Sequence, residues 1–113
     1  MDEKRRYQRI NYREPVLYRI LLDQPQTGCL GYDISSGGLR CTVNDFIPLG
    51  QQLKLTVKLK REEPLELTGR VVWIRRNAHG ENYQIGLKFT ETEAVTPTRQ
   101  RVDQFIEEAR SFS

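Results

Sequence analysis

Histidine and cysteine, on which much nucleophilic and metal chemistry rests, are nearly missing from this 113-residue chain, which has one histidine and two cysteines. His79 stands beside Gly80 in the turn-forming stretch Asn77-Ala78-His79-Gly80, where a lone imidazole is ordinarily just solvated. No cysteine and histidine cluster has metal-ligand spacing, so no metal site is expected. Ser35 and Ser36 have no histidine base at hand, and the carboxylate pair Glu62 and Glu63 falls in another turn. A catalyst lacks its partners here, and the chain is expected not to be an enzyme. Cys29 and Cys41 fall on opposite sides of the strand alternation if Leu30 and Leu39 both face inward. That placement keeps them unbridged and fits a reducing compartment. Long apolar runs are absent too. Nothing approaches the ~18 residues of a membrane span. The N-terminus Met1-Asp2-Glu3-Lys4-Arg5-Arg6 lacks the apolar stretch of a signal peptide. A soluble, cytoplasmic protein without membrane insertion is expected.

What is present fits one ordinary domain spanning 1–113, with a core large enough to fold without staples. The hydrophobic fraction of 37% and aromatic fraction of 9% suggest a thin core and exclude a disordered chain. The net charge of +3 is too small for wholesale coating of nucleic acid, so its distribution matters more than its sum. Lys4, Arg5, Arg6, Arg9 and Arg13 form a basic arm, residues 1–13, with no acid between Lys4 and Arg13. Outside Lys4 to Arg13 the chain is slightly acidic overall. Arginine dominates the arm, and its planar fork suits phosphate or a guanine edge as lysine does not.

Beyond the arm the pattern is one of short strands within 15–90. Leu53, Leu55, Val57 and Leu59 alternate with polar residues, as do Tyr83, Ile85, Leu87 and Phe89. Val16, Tyr18, Ile20 and Leu22 make a weaker set. Leu30, Tyr32 and Ile34 form another, followed past Ser35-Ser36-Gly37-Gly38 by Leu39, Cys41 and Val43. The stretch from Leu65 to Arg75 passes from alternation into the apolar run Val71-Val72-Trp73-Ile74, predicting a bulge at Gly69 or burial on both faces. Turns are marked by Asp45 to Gly50, Arg61-Glu62-Glu63-Pro64 and Asn77 to Gly80. The last segment, 97–111, reads as a helix: Pro97 suits its first position with Thr96 as N-cap, and Val102, Phe105, Ile106 and Ala109 make one apolar stripe. The fold class expected is mostly β, a six-stranded antiparallel barrel closed to remove its edges, with a C-terminal α-helix packed on it and a flexible N-terminal arm.

Two local motifs carry the functional signal. Arg5-Arg6-Tyr7-Gln8-Arg9 holds arginines four apart, and Asp33-Ile34-Ser35-Ser36-Gly37-Gly38 is a polar hairpin turn whose glycines are expected at positive φ. RxxxR followed some two dozen residues later by DxSxxG resembles the PilZ domain, a bacterial receptor module for cyclic di-GMP. Gly69-Arg70-Val71-Val72-Trp73 and Tyr83-Gln84-Ile85-Gly86-Leu87-Lys88-Phe89 are similar to later strands of that family, in order. The resemblance runs from Arg5 to about Phe89, and both signature motifs are complete.

The resemblance implies a ligand, cyclic di-GMP, and no cofactor besides. Arg5 and Arg9 would serve its phosphates and the O6/N7 edge of guanine. Asp33 would accept from guanine N1 and N2, and Ser35 would reach a base or sugar-phosphate oxygen. Gly37 and Gly38 keep the turn low. Arg6 and Lys4 are supporting cations. Trp73 is either a core side chain or a surface for a base, and it joins the candidate ligand residues on the second reading. In the implied mechanism the ligand neutralises the mobile arm, clamps it on the Asp33-to-Gly38 turn, and presents a new surface to an effector protein acting in trans. One alternative is a ligand-independent PilZ-like adaptor for protein contact, against which the intact motifs argue. A single-stranded nucleic-acid binder is disfavoured because the exposed strand faces lack neighbouring aromatics. No nucleic-acid polymer is therefore expected as partner.

Overall fold

The computed structural model describes residues 9–20, 23–59, 64–90 and 97–111. Its strands are β1 (Ile10–Asn11), β2 (Pro15–Arg19), β3 (Thr27–Ile34), β4 (Gly38–Val43), β5 (Gln52–Val57), β6 (Leu65–Arg76) and β7 (Tyr83–Phe89). The helix α1 (Pro97–Ser111) follows them. The sheet order β1-β3-β2-β5-β6-β7-β4, with β3 also paired to β4, closes β2 to β7 into a six-stranded antiparallel barrel. Short β1 lies on the same side of β3 as β2, pairing Ile10 with Ile34 and Asn11 with Asp33. Closure leaves no long edge for another chain to extend.

Inward alternation fills the barrel. Val16, Leu39, Val43, Leu53, Leu55, Val57, Leu67, Val71, Ile85 and Leu87 are all buried. The strict period of two in β5 and β7 follows from one face packing on this core. The helix begins at Pro97, and its stripe packs on the barrel, with Val102 and Ile106 buried. Phe105 meets Tyr12 edge-to-face at a centroid distance of 6.2 Å. The Tyr12 hydroxyl donates to the Lys58 carbonyl at 2.6 Å, and burial pushes its phenol up to about 12, so it remains a donor at neutral pH.

Several expectations need correction, and bulges explain most of them. In β3 the pairing with β4 shifts between Gly31 and Asp33. The shift turns Leu30 outward, 52% exposed, and buries Gly31, Asp33 and Ile34 instead of a Leu30, Tyr32, Ile34 set. Cys29 therefore packs against the core beside buried Cys41, on the same side of the sheet and not on opposite sides. Both are free thiols, and the hydrogen bond with Cys29, aided by burial, pushes the Cys41 thiol up. In β6 the irregularity lies between Val71 and Trp73, not at Gly69, which keeps its register opposite Leu53 and Phe89. β2 ends at Arg19, so Ile20 is exposed, while Leu22 lies outside the described residues.

The described end of the basic arm is docked on the barrel. Ile10 and Asn11 belong to β1, and Arg13 Nε donates to the Tyr32 carbonyl at 3.2 Å, with its guanidinium 4.4 Å from the Tyr32 ring centroid. Lys4, Arg5 and Arg6 lie outside the described residues, as does the Thr96 cap.

Candidate functional site

The strand register decides which side chains meet. The turn after β3 is a two-residue hairpin in which Ser35 N–H donates to the Gly38 carbonyl at 2.8 Å. Counting outward from it, Ile34 faces Leu39 and Asp33 faces Arg40. Continuing the β1–β3 register past Ile10 and Ile34 sets Arg9 opposite Ser35. Arg9 Nε donates to Asp33 Oδ1 at 3.0 Å, and its Nη1 donates to Ser35 Oγ at 3.3 Å. Two sequence motifs 24 residues apart thus converge in one hydrogen-bonded cluster.

Ser35 Oγ also accepts from the backbone N–H groups of Gly37 and Gly38, each at 3.2 Å. The hydroxyl is the local organiser of the turn. Gly38 does not take the positive φ expected of it; it is glycine because a Cβ there would stand 2.1 Å from the Leu87 carbonyl oxygen. Gly37 is tied down through its carbonyl, which accepts from Phe89 N–H at 2.9 Å.

Asp33 is 6% exposed. Arg40 grips it with a fork, Nε at 2.8 Å from Oδ1 and 3.0 Å from Oδ2, with Nη2 also on Oδ2. Burial pushes this carboxyl up, but the hydrogen bonds from Arg40 and then Arg9, with their charges, outweigh burial and hold it below the usual carboxylate range. The same pairing raises Arg40.

Beside this cluster opens a cavity of about 580 Å³, lined by Arg9, Ser35, Gly37, Gly38 and Arg40 on one side and by Val72, Trp73, Gly86, Leu87, Lys88 and Phe89 on the other. The β6 bulge delivers Trp73 to this wall: it pairs with Gly86, half-buried, while Val72 is 46% exposed. Trp73 is therefore a pocket wall and not a core side chain. A Cβ on Gly86 would lie 2.2 Å from the indole Nε1, so Gly86 is the seat on which the ring rests. The expected result of Gly86→Ala is a displaced indole, read as a shifted tryptophan emission maximum; Trp73 is the chain's single tryptophan, so the signal is unambiguous.

Of the sequence candidates, Arg9, Asp33, Ser35, Gly37, Gly38 and Trp73 meet at this cavity or its hydrogen-bonded rim. Arg5, Arg6 and Lys4 lie outside the described residues. Arg40, Gly86 and Lys88 were missed. Reading Ser36-Gly37 as a two-residue hairpin loop would have set Arg40 across from Asp33, and the outward position of Gly86 among Ile85 and Leu87 was an available signal. Among the described residues, no group of three or more His, Cys, Asp or Glu converges to hold a metal, and no helix is long and apolar enough to cross a membrane.

A barrel closed by β3–β4, a DxSxxG hairpin and an arginine from an upstream RxxxR form a recognisable set. The family model for the PilZ domain matches residues 3–108. The chain belongs to the PilZ family. No curated protein matches it in sequence. Solved structures share the PilZ fold. The Bacillus subtilis inhibitor of motility MotI/DgrA superposes with a TM-score of 0.79 at 23% identity, covering 96% of this chain and 52% of that one. The PilZ domain of YcgR from Escherichia coli, solved with c-di-GMP, gives 0.68 at 21% identity and covers 97% of both chains. The K. pneumonia MrkH–c-di-GMP complex gives 0.69 at 16% identity, over 96% of this chain and 55% of that one. This PilZ chain therefore spans about half the length of the motility inhibitor and of MrkH.

Proposed function

We propose that the chain is a receptor for cyclic di-GMP that passes its signal to a partner protein, and that it binds the ligand in the cavity between the Asp33–Gly38 hairpin and Trp73. The observation that carries this reading is the meeting of Arg9, Asp33 and Ser35 at one end of a pocket whose opposite wall is an indole. The ligand has anionic phosphates, flat purine faces and guanine edges with both donors and acceptors. Arg9, Arg40 and Lys88 give the pocket an excess of positive charge over the single Asp33 carboxylate. Trp73 offers a stacking face, worth about 1–3 kcal/mol for a base. Lys4, Arg5 and Arg6 would add their charges from the arm, with Arg5 completing RxxxR. The whole of 1–113 would act as one domain, with the helix packed on β1 and β6.

Arg9 is already engaged in this conformation. Ligand phosphate offers it a stronger anionic partner than a carboxylate shared with Arg40, so binding is expected to draw the guanidinium toward the ligand and bring the arm with it. That movement would create the surface an effector protein reads. Calorimetric titration of the chain with cyclic di-GMP, GTP and a single-stranded oligonucleotide tests the reading. Saturable binding of cyclic di-GMP, with quenching or shift of Trp73 fluorescence and no comparable response to the others, is the expected result. No heat and no spectral change with cyclic di-GMP would sink it.

A further inference from the structure

Asp33 faces a problem that the two motifs do not solve. A buried carboxylate that is to accept from a ligand N–H must stay ionised and aimed, yet burial alone would favour its protonated form. Arg9 cannot be its lasting counter-charge if the ligand claims that guanidinium. The charged groups facing Asp33 are Arg9 ahead of β1 and Arg40 on β4; Lys88 on β7 and Trp73 on β6 line the adjoining cavity. Arg40 alone grips both carboxylate oxygens. Its guanidinium is itself braced, 5.1 Å from the Tyr32 ring centroid, and Arg13 stands over the same ring.

We propose that Arg40, outside both signature motifs, is the positioning residue of the pocket: its fork holds Asp33 ionised and oriented as the acceptor for a guanine N–H after Arg9 has moved to the ligand. This rests on the cyclic di-GMP reading for the identity of the donor. A carboxylate has about four lone-pair sites. In this conformation Oδ1 serves Arg9 and Arg40 while Oδ2 serves Arg40, so release of Arg9 vacates a site on Oδ1 without freeing the carboxylate to rotate. The register does the rest: Arg40 is the direct cross-strand partner of Asp33, a rigid attachment that Arg9 lacks. Lysine would keep the charge and lose the fork.

The sign follows from the ionised form being the binding form. With Arg40 present, binding persists as pH falls below the usual carboxylate range; with Arg40→Ala, burial is less opposed and the acid limb moves to higher pH. The experiment joins a carboxyl NMR titration of Asp33 in the ligand-free chain to cyclic di-GMP calorimetry between pH 4 and pH 8, on wild type, Arg40→Ala, Arg40→Lys and Asp33→Asn. Expected are an Asp33 titration raised in Arg40→Ala and less so in Arg40→Lys, and affinity reduced about tenfold or more at neutral pH in Arg40→Ala. Adding Asp33→Asn to Arg40→Ala should then cost little more, because both changes break one unit. An unchanged Asp33 titration, or unchanged affinity and pH profile in Arg40→Ala, overturns the assignment. Should Arg40→Ala fold poorly, Arg40→Lys carries the same comparison with the charge retained. If wild type fails to bind cyclic di-GMP, the ligand reading falls. The ligand-free titration then decides alone whether Arg40 holds Asp33.

Discussion

Arg9→Ala is expected to weaken cyclic di-GMP binding by about a hundredfold in a calorimetric titration, with little loss of fold stability. The guanidinium carries two directed bonds from a chain segment that enters the site from outside the barrel, to Asp33 Oδ1 and to Ser35 Oγ. Transferred to a ligand phosphate or guanine edge, each remains charge-assisted and contributes on the order of 1.5–3 kcal/mol. Two such bonds amount to at least ~3 kcal/mol, and each ~1.4 kcal/mol is tenfold in affinity. The folded state loses far less. Arg9 is 37% exposed, so solvent screens its pair with Asp33, and Arg40 remains on the carboxylate. Arg9→Lys should fall between the two, because it keeps the charge and loses the planar fork. Affinity unchanged in Arg9→Ala would remove Arg9 from the site and leave the pocket's positive charge to Arg40 and Lys88.

How much of this was legible in the sequence depends on whether a strand is regular. β5 and β7 were readable residue by residue, because an unbroken ladder buries every second side chain. β3 was not, because one extra residue between Gly31 and Asp33 reverses which parity faces the core. The cysteine inference failed for the same reason, having taken Leu30 as an inward residue. The broken alternation in β6 offered a bulge at Gly69 or burial on both faces; the bulge exists but lies two to four residues on, and Gly69 instead answers a need for space under Leu55 and beside Leu87. The irregular positions are also where the site lies. Asp33 is buried and Trp73 reaches the pocket wall because of the two bulges, which re-aim side chains that a regular strand would have pointed elsewhere. Arg40 escaped notice because a motif identifies residues along the chain, whereas its role comes from its partner across the ladder.

The arm shows a different limit. Charge counting made Lys4 to Arg13 a run with nothing to neutralise it, and along the sequence that is correct. In the fold, β1 pairing carries Arg9 to Asp33 and leaves Arg13 against Tyr32, so part of the repulsion is already offset before any ligand arrives. The mechanism becomes an exchange of partners at Arg9, with the free energy of binding reduced by whatever the Arg9–Asp33 pair contributes beforehand. A larger share of the affinity then has to come from groups not committed to one another, including the Trp73 face and Lys88.

The hairpin turn should tolerate change least. Gly38→Ala is expected to destabilise the fold by about 3 kcal/mol and lower Tm by about 12–20 °C in thermal unfolding. The atoms in the way are all backbone: a Cβ at Gly38 meets the Leu87 carbonyl oxygen at 2.1 Å, its carbon at 3.2 Å and the Lys88 Cα at 3.4 Å. No side chain can rotate aside, so β4 has to part from β7 where the barrel closes, at the Gly38–Lys88 pair. The disturbance reaches the pocket directly, because Ser35 Oγ holds the Gly38 N–H and the Gly37 carbonyl holds Phe89 N–H. Gly28→Ala is the matched control. The nearest atom to its Cβ is a Leu17 methyl at 3.9 Å, ordinary contact on an exposed strand position, so Tm should stay within a few degrees of wild type or rise. Equal melting of the two variants would show that β4 and β7 can yield at Gly38. The motif glycine would then be required for a ligand to approach the turn and not for the barrel to close, a distinction that cyclic di-GMP titration of the folded variant would make directly.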